Sequence, residues 1–154
     1  MSLEGHTYFV TTCCASRESL LVDATALALV SEALHGMLGR GFARLDGYTL
    51  MPDHMHLVFA LTPAYNLAKV IGGLKTYTAL RANRLLGGRG AFWQDGYHDH
   101  RIRSDADWRA RMEYMLLNPV RAGLVEEAEA YPWCQCGPWW PTKESGPVAS
   151  PTES

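Results

Sequence analysis

"ARLDGYTLMPDHMHLVFAL", residues 43–61, is the stretch on which the fold turns. Its two halves are rich in aromatic and aliphatic residues, and Pro52 separates them. A strand over 43–52 that Pro52 stops and a second strand over 54–61 lie close enough to form a hairpin. Successive side chains on a strand point to opposite faces. Met55, Leu57 and Phe59 therefore share a wholly apolar face, which marks the core side. His54, His56 and Val58 share the other, and the two imidazoles project side by side away from that core. Two imidazoles at this spacing can bind one divalent cation. For an isolated His-x-His the plainer reading is a surface pair or a hydrogen-bonded polar pair, so the rest of the chain has to decide.

Outward from the hairpin, "TYFVTTCCA" (7–15) reads as a strand, and "DATALALVSEALHGMLG" (23–39) has helical spacing ended by glycine. "NLAKVIGGLKTYTALRANRLLG" (66–87) is a second helix, "GRGAFWQDG" (88–96) a loop, and "YHDHRIR" (97–103) an alternating strand. The order strand, helix, strand, strand, helix, strand, helix predicts an α+β fold. It would be a ferredoxin-like or RRM-like antiparallel sheet of about four strands with helices packed on it. Many functions share that plan, so the fold alone decides nothing.

"SDADWRARMEYMLLN" (104–118) is the strongest helix signal. Ser104 can cap it, Asp105 and Asp107 suit its first turn, and Pro119 marks its end at Asn118. Trp108, Met112 and Met115 form an apolar stripe, while Arg111, Tyr114 and Asn118 share a different face. Tyr114 and Asn118, four apart, are surface neighbours. A tyrosine that can attack and an amide that can ligate would thus be presented together. The plainer reading makes Tyr114 a packing residue and Asn118 a helix-end residue.

The chain has 154 residues, 47% hydrophobic and 19% charged, which suits one domain over 1–140. The Pro/Ser/Gly/Thr-rich tail over 141–154 has a disordered composition. No apolar run is long enough for a bilayer, and the N-terminus lacks a signal-peptide pattern, so the expected location is cytoplasmic, with no membrane partner. Cys13, Cys14, Cys134 and Cys136 lack zinc-knuckle spacing. Reduced packing residues are expected, with a four-thiolate zinc site as the alternative. Net charge is −2, yet residues 64–125 hold ten Lys/Arg against five Asp/Glu. That is a modest footprint for a polyanion, set against the alternative of an ordinary solvated surface.

Three blocks, "YTLMPDHMHLVF", "LKTYTALRAN" and "FWQDGYHDHRIRSDADWRARMEYMLLNPVRAGLVE", together resemble the REP-associated tyrosine transposases. These are single-tyrosine members of the HUH endonuclease superfamily, related to the transposases of small bacterial insertion sequences. The combination of "YMLLNPVRAGLV" with the preceding His-hydrophobe-His strand is the specific part.

The resemblance implies that His54, His56 and Asn118 hold a divalent metal, Mg²⁺ or Mn²⁺, and that Tyr114 is the nucleophile. Some members of the family carry glutamine at the position of Asn118. It further implies that Lys75, Tyr77, Arg81, Arg101 and Arg103 face DNA, single-stranded or in a hairpin. Arg111 is expected to stabilise the Tyr114 phenolate. Trp93, with Phe92 and Tyr97, would stack on bases, or else "AFWQDGY" merely plugs the core edge. The implied activity is metal-dependent cleavage and strand transfer through a 5′-phosphotyrosine, by a monomer or homodimer. The rival is a non-catalytic nucleic-acid-binding module on the same fold. A histidine-triad hydrolase is disfavoured because Val58 stands at the third alternating position.

Overall fold

A computed structural model describes residues 6–135. Its elements are β1 (Thr7–Cys13), α1 (Ala24–Arg40), β2 (Ala43–Met51), β3 (His54–Leu61), α2 (Leu67–Leu86), β4 (His98–Ile102), α3 (Asp105–Leu116), α4 (Asn118–Arg121) and β5 (Cys134–Gln135). The anticipated hairpin is present. Met51 pairs with His54 across the two-residue turn Pro52–Asp53. The sheet order is β4-β1-β3-β2-β5, with every pairing antiparallel. The first four strands realise the ferredoxin-like plan. The fifth adds to the four anticipated and pairs with β2 at Tyr48 and Thr49. Cys136 and the tail over 141–154 lie outside the described residues.

The periodicity of β3 sorts its side chains between two separate cores. Met55, Leu57 and Phe59 are buried with Val30, Leu34, Ile71 and Leu74 under α1 and α2. Val58 is buried on the opposite face with Phe9, Ile102, Met112, Met115 and Leu116. The histidine-bearing face is therefore roofed rather than solvent-facing, because α3 folds back over it. His56 is only 5% exposed. A central strand covered on both sides accounts for the nearly unbroken apolar character of 55–61.

α2 and α3 each start at a side-chain cap, and α2 stops at the glycine that follows it. Asn66 caps α2 by accepting from the Lys69 N–H, and Gly87 ends it in a left-handed conformation. Ser104 caps α3 by accepting from the Asp107 N–H at 3.0 Å. Gly47 sits at a β2 bulge beneath α3. A Cβ there would lie 2.8 Å from the Gln135 carbonyl oxygen and 2.9 Å from Met112 Cε. The bare glycine lets α3 and β5 close on the sheet together.

Candidate active site

The β2–β3 turn and the α3–α4 junction meet at the candidate site. Leu117 (φ −89°, ψ −3°) breaks the helix axis, and α4 begins at Asn118 with Pro119 in its first turn. The expected helix over 104–118 thus ends two residues early, at Leu116, and Asn118 opens the next. That change of axis turns the Asn118 amide toward β3. Its Oδ1 lies 3.1 Å from His54 Nε2. The same amide faces the neighbouring His56 ring closely enough to oppose the fall of its pKa.

Each histidine is held from behind at its other nitrogen. His54 Nδ1 lies 2.7 Å from Asp53 Oδ1. His56 Nδ1 lies 2.8 Å from Thr11 Oγ1, contributed by the paired strand β1. The two rings are 4.7 Å apart, and Phe9 stacks on His56 at 5.2 Å. Partners at Nδ1 fix ring orientation and leave Nε2 for a ligand, the support found behind metal-bound histidines. Burial pushes the His56 pKa down to about 3, and neighbouring His54 adds to the shift. His56 is thus neutral near pH 7. Burial alone would raise Asp53, but hydrogen bonds from His54 and Arg17 outweigh it and hold the carboxyl below its usual range.

Tyr114 projects from the last turn of α3 and is 49% exposed. Its ring is 5.8 Å from that of His56 and 6.1 Å from that of Phe9. The guanidinium that covers it belongs to Arg121 of α4, with Cζ 4.3 Å from the ring centre. Arg121 also donates to the Tyr114 carbonyl oxygen. Arg111, expected in that role, instead pairs with Asp107 at 3.3 Å and lies over Phe9 at 5.7 Å. Among the described residues no cluster of three or more His, Cys, Asp or Glu side chains is placed to hold a metal. The donor set is two imidazoles and one amide oxygen, which suits a borderline divalent cation.

A family model described as "Transposase IS200 like" matches residues 2–114, ending on Tyr114. The chain belongs to the IS200-like transposase family. A REP-associated tyrosine transposase of Escherichia coli strain K12 is 24% identical over 135 residues, 85% of this chain and 76% of the relative. A putative REP-associated tyrosine transposase of Haemophilus influenzae is 31% identical over 94 residues, 54% of this chain and 53% of that protein. The fold matches a solved REP-associated tyrosine transposase bound to a REP hairpin, with TM-score 0.71 and 22% identity over 87% of this chain and 78% of that one. It also matches a putative transposase of Deinococcus radiodurans, with TM-score 0.55 and 22% identity over 70% and 86%.

Within this transposase fold, most of the residues expected to face DNA lie across the sheet from Tyr114, and Arg111 lies on the α3 side, over Phe9. Lys75, Tyr77, Arg81 and Trp93 belong to the α1–α2 side, across the sheet from Tyr114. Lys75 donates to the carbonyls of Gln94 and Gly96, both at 2.7 Å, and so anchors the loop before β4. Tyr77 is 39% exposed and lies under Arg81. Trp93 is 5% exposed and donates its indole N–H to Thr78 Oγ1 at 2.8 Å. The stacking role expected of Trp93 and Phe92 is corrected accordingly, since both plug the core. Arg101 pairs with Tyr8, whose ring packs toward Phe59, so it too belongs to the α1–α2 side of edge strand β4. Arg103 is exposed in the link to α3.

Sequence reasoning missed Asp53, Thr11, Phe9 and Arg121. Asp53 was visible only as the neighbour of His54. Thr11 and Phe9 depend on β1 register, and Arg121 on the helix break. Cys13, Cys14 and Cys134 are free thiols. Burial raises Cys14 to about 12 and Cys134 to about 11, so both remain protonated packing groups. No described helix is long and apolar enough to cross a membrane.

Proposed function

We propose that this family member is a metal-dependent endonuclease and strand transferase acting on single-stranded, hairpin-forming repeat DNA. The observation that carries the reading is the convergence of His54, His56 and Asn118 beside an exposed tyrosine. The likeness to a transposase bound to a REP hairpin supports the substrate class.

Tyr114 Oη attacks the scissile phosphorus, and the bond from phosphorus to the 3′-oxygen breaks. The phenol gives up its proton and the departing 3′-oxygen gains one, so the products are a 5′-phosphotyrosine and a free 3′-hydroxyl. The ester bond is conserved, so the reverse attack by a 3′-hydroxyl rejoins strands and releases the tyrosine. His54, His56 and Asn118 would hold Mg²⁺ or Mn²⁺, which supplies polarisation of a phosphate oxygen. Two imidazoles in the donor set favour Mn²⁺ in vitro, since Mg²⁺ prefers oxygen shells. Arg121 holds the tyrosine ring and offers charge to the phenolate. The phosphate approaches from the α3 side, which carries Arg111 and Arg121.

The test incubates the protein with single-stranded hairpin oligonucleotides and Mn²⁺, then looks for a covalent protein–DNA band on a denaturing gel. A band in wild type that Tyr114→Phe lacks is the expected result. A band surviving in Tyr114→Phe rejects the assigned nucleophile. Hairpin binding without a band supports the binding-module alternative.

A further inference from the structure

Ser16 (φ 54°) and Arg17 (φ 55°) are, among the described residues, the only non-glycine residues with left-handed backbone. Two in succession form a costly arrangement for side chains with a Cβ. Their turn is pinned against the β2–β3 turn. The Cys14 N–H donates to the Asp53 carbonyl at 2.8 Å, and the Leu21 N–H donates to the Pro52 carbonyl at 2.9 Å.

The turn delivers the Arg17 guanidinium to Asp53. Nε and Nη2 donate to Asp53 Oδ2 at 3.1 and 2.9 Å. The other carboxylate oxygen, Oδ1, faces His54 Nδ1 at 2.7 Å. One oxygen is thus occupied by arginine and the other by the imidazole, so the carboxylate plane is set before the ring meets it. The Arg17 side chain is 55% exposed. An exposed ion pair contributes little stability, less than two strained residues cost. Stability alone therefore does not account for the turn.

We propose that Arg17 is a positioning residue for the cation site, fixing Asp53 so that Asp53 fixes the His54 ring with Nε2 turned toward Asn118. The inference rests on the reading of His54 as a metal ligand. Outer-shell partners of this kind change metal affinity by about 10–100-fold.

The variant that isolates the guanidinium is Arg17→Gly, because glycine adopts the left-handed turn without strain. The full-length protein is titrated with Mn²⁺, following binding by electron paramagnetic resonance, with His54→Ala as control. Thermal unfolding is measured on the same samples. The expected result is that Arg17→Gly melts no lower than wild type yet binds Mn²⁺ roughly 10–100-fold more weakly. A purely structural role would instead leave Mn²⁺ affinity unchanged, and that result overturns the proposal. Failure of the underlying reading is separate, because His54→Ala would then bind Mn²⁺ as wild type does. In that event the metal-free protein still decides. The His54 Nδ1–H resonance is observed by NMR, and its persistence in Arg17→Gly overturns the positioning role, while its loss to exchange supports it.

Discussion

Arg121 stands over Tyr114, with its guanidinium carbon 4.3 Å from the ring centre, while Arg111 one turn earlier is engaged with Asp107. The two arginines are therefore not equivalent. Arg121→Ala is expected to slow formation of the covalent DNA adduct by about tenfold, the equivalent of roughly 1.4 kcal/mol of lost stabilisation. Arg111→Ala should stay within about threefold of wild type, since its contacts are to Asp107 and Phe9. Single-turnover adduct kinetics separate the two variants. Equal loss in both would contradict the assignment.

Thr11 supports His56 from the neighbouring strand. Thr11→Val keeps the shape but removes the hydroxyl, leaving His56 Nδ1 unpartnered in a buried setting. Mn²⁺ affinity should drop about 10–100-fold by calorimetry. An unchanged affinity would mean that stacking on Phe9 alone holds the ring.

His56 also predicts a pH dependence of stability without metal. Its pKa in the folded chain is about 3 against 6.5 for the free group. Between those values the unfolded chain carries a proton that the folded chain lacks. Stability therefore rises with pH in that window and falls on acidification from 6.5 toward 3. The slope from this group is at most about 1.4 kcal/mol per pH unit. Urea unfolding at pH 7 and pH 4.5 should show a larger loss for wild type than for His56→Gln. Asp53 and Asp107 also lose stability in acid, but both proteins retain them.

Gly47 is the packing hinge between sheet, α3 and β5. Gly47→Ala should destabilise the fold by about 1–3 kcal/mol, the usual cost of overpacking. It should also reduce adduct formation, because α3 carries Tyr114. A variant as stable as wild type would show that Met112 Cε and the Gln135 backbone move aside without cost.

Trp93 distinguishes a core plug from a base-stacking platform. Trp93→Phe removes one buried hydrogen bond, to Thr78, and should cost about 1–2 kcal/mol. Binding of single-stranded hairpin DNA should be unchanged in fluorescence anisotropy. Weakened binding at full stability would reverse the assignment.

The fold was legible because its signals are local. Period-two alternation in 54–61, Ser104 as a cap, Gly87 as a stop and Pro52 as a break each specify their own element. The roof over the histidines was less legible, because Val58 on their face reads as surface or core according to what lies above it. The α3 stripe of Trp108, Met112 and Met115 was recognised, but nothing in its spacing says which sheet face receives it. For the same reason Lys75 and Arg81 could not be assigned to a side from charge alone. The two-residue β5 is too short to carry a periodicity.

Only Arg103 and Ser104 separate β4 from α3, so the tyrosine helix turns back onto its own sheet. Tyr114 consequently stands beside the histidines of the same polypeptide. Two defective chains, one Tyr114→Phe and the other His54→Ala, then have no intact centre to assemble between them. Subunit mixing should give no complementation. A single wild-type chain tethered to a dead copy should retain the activity of one complete centre.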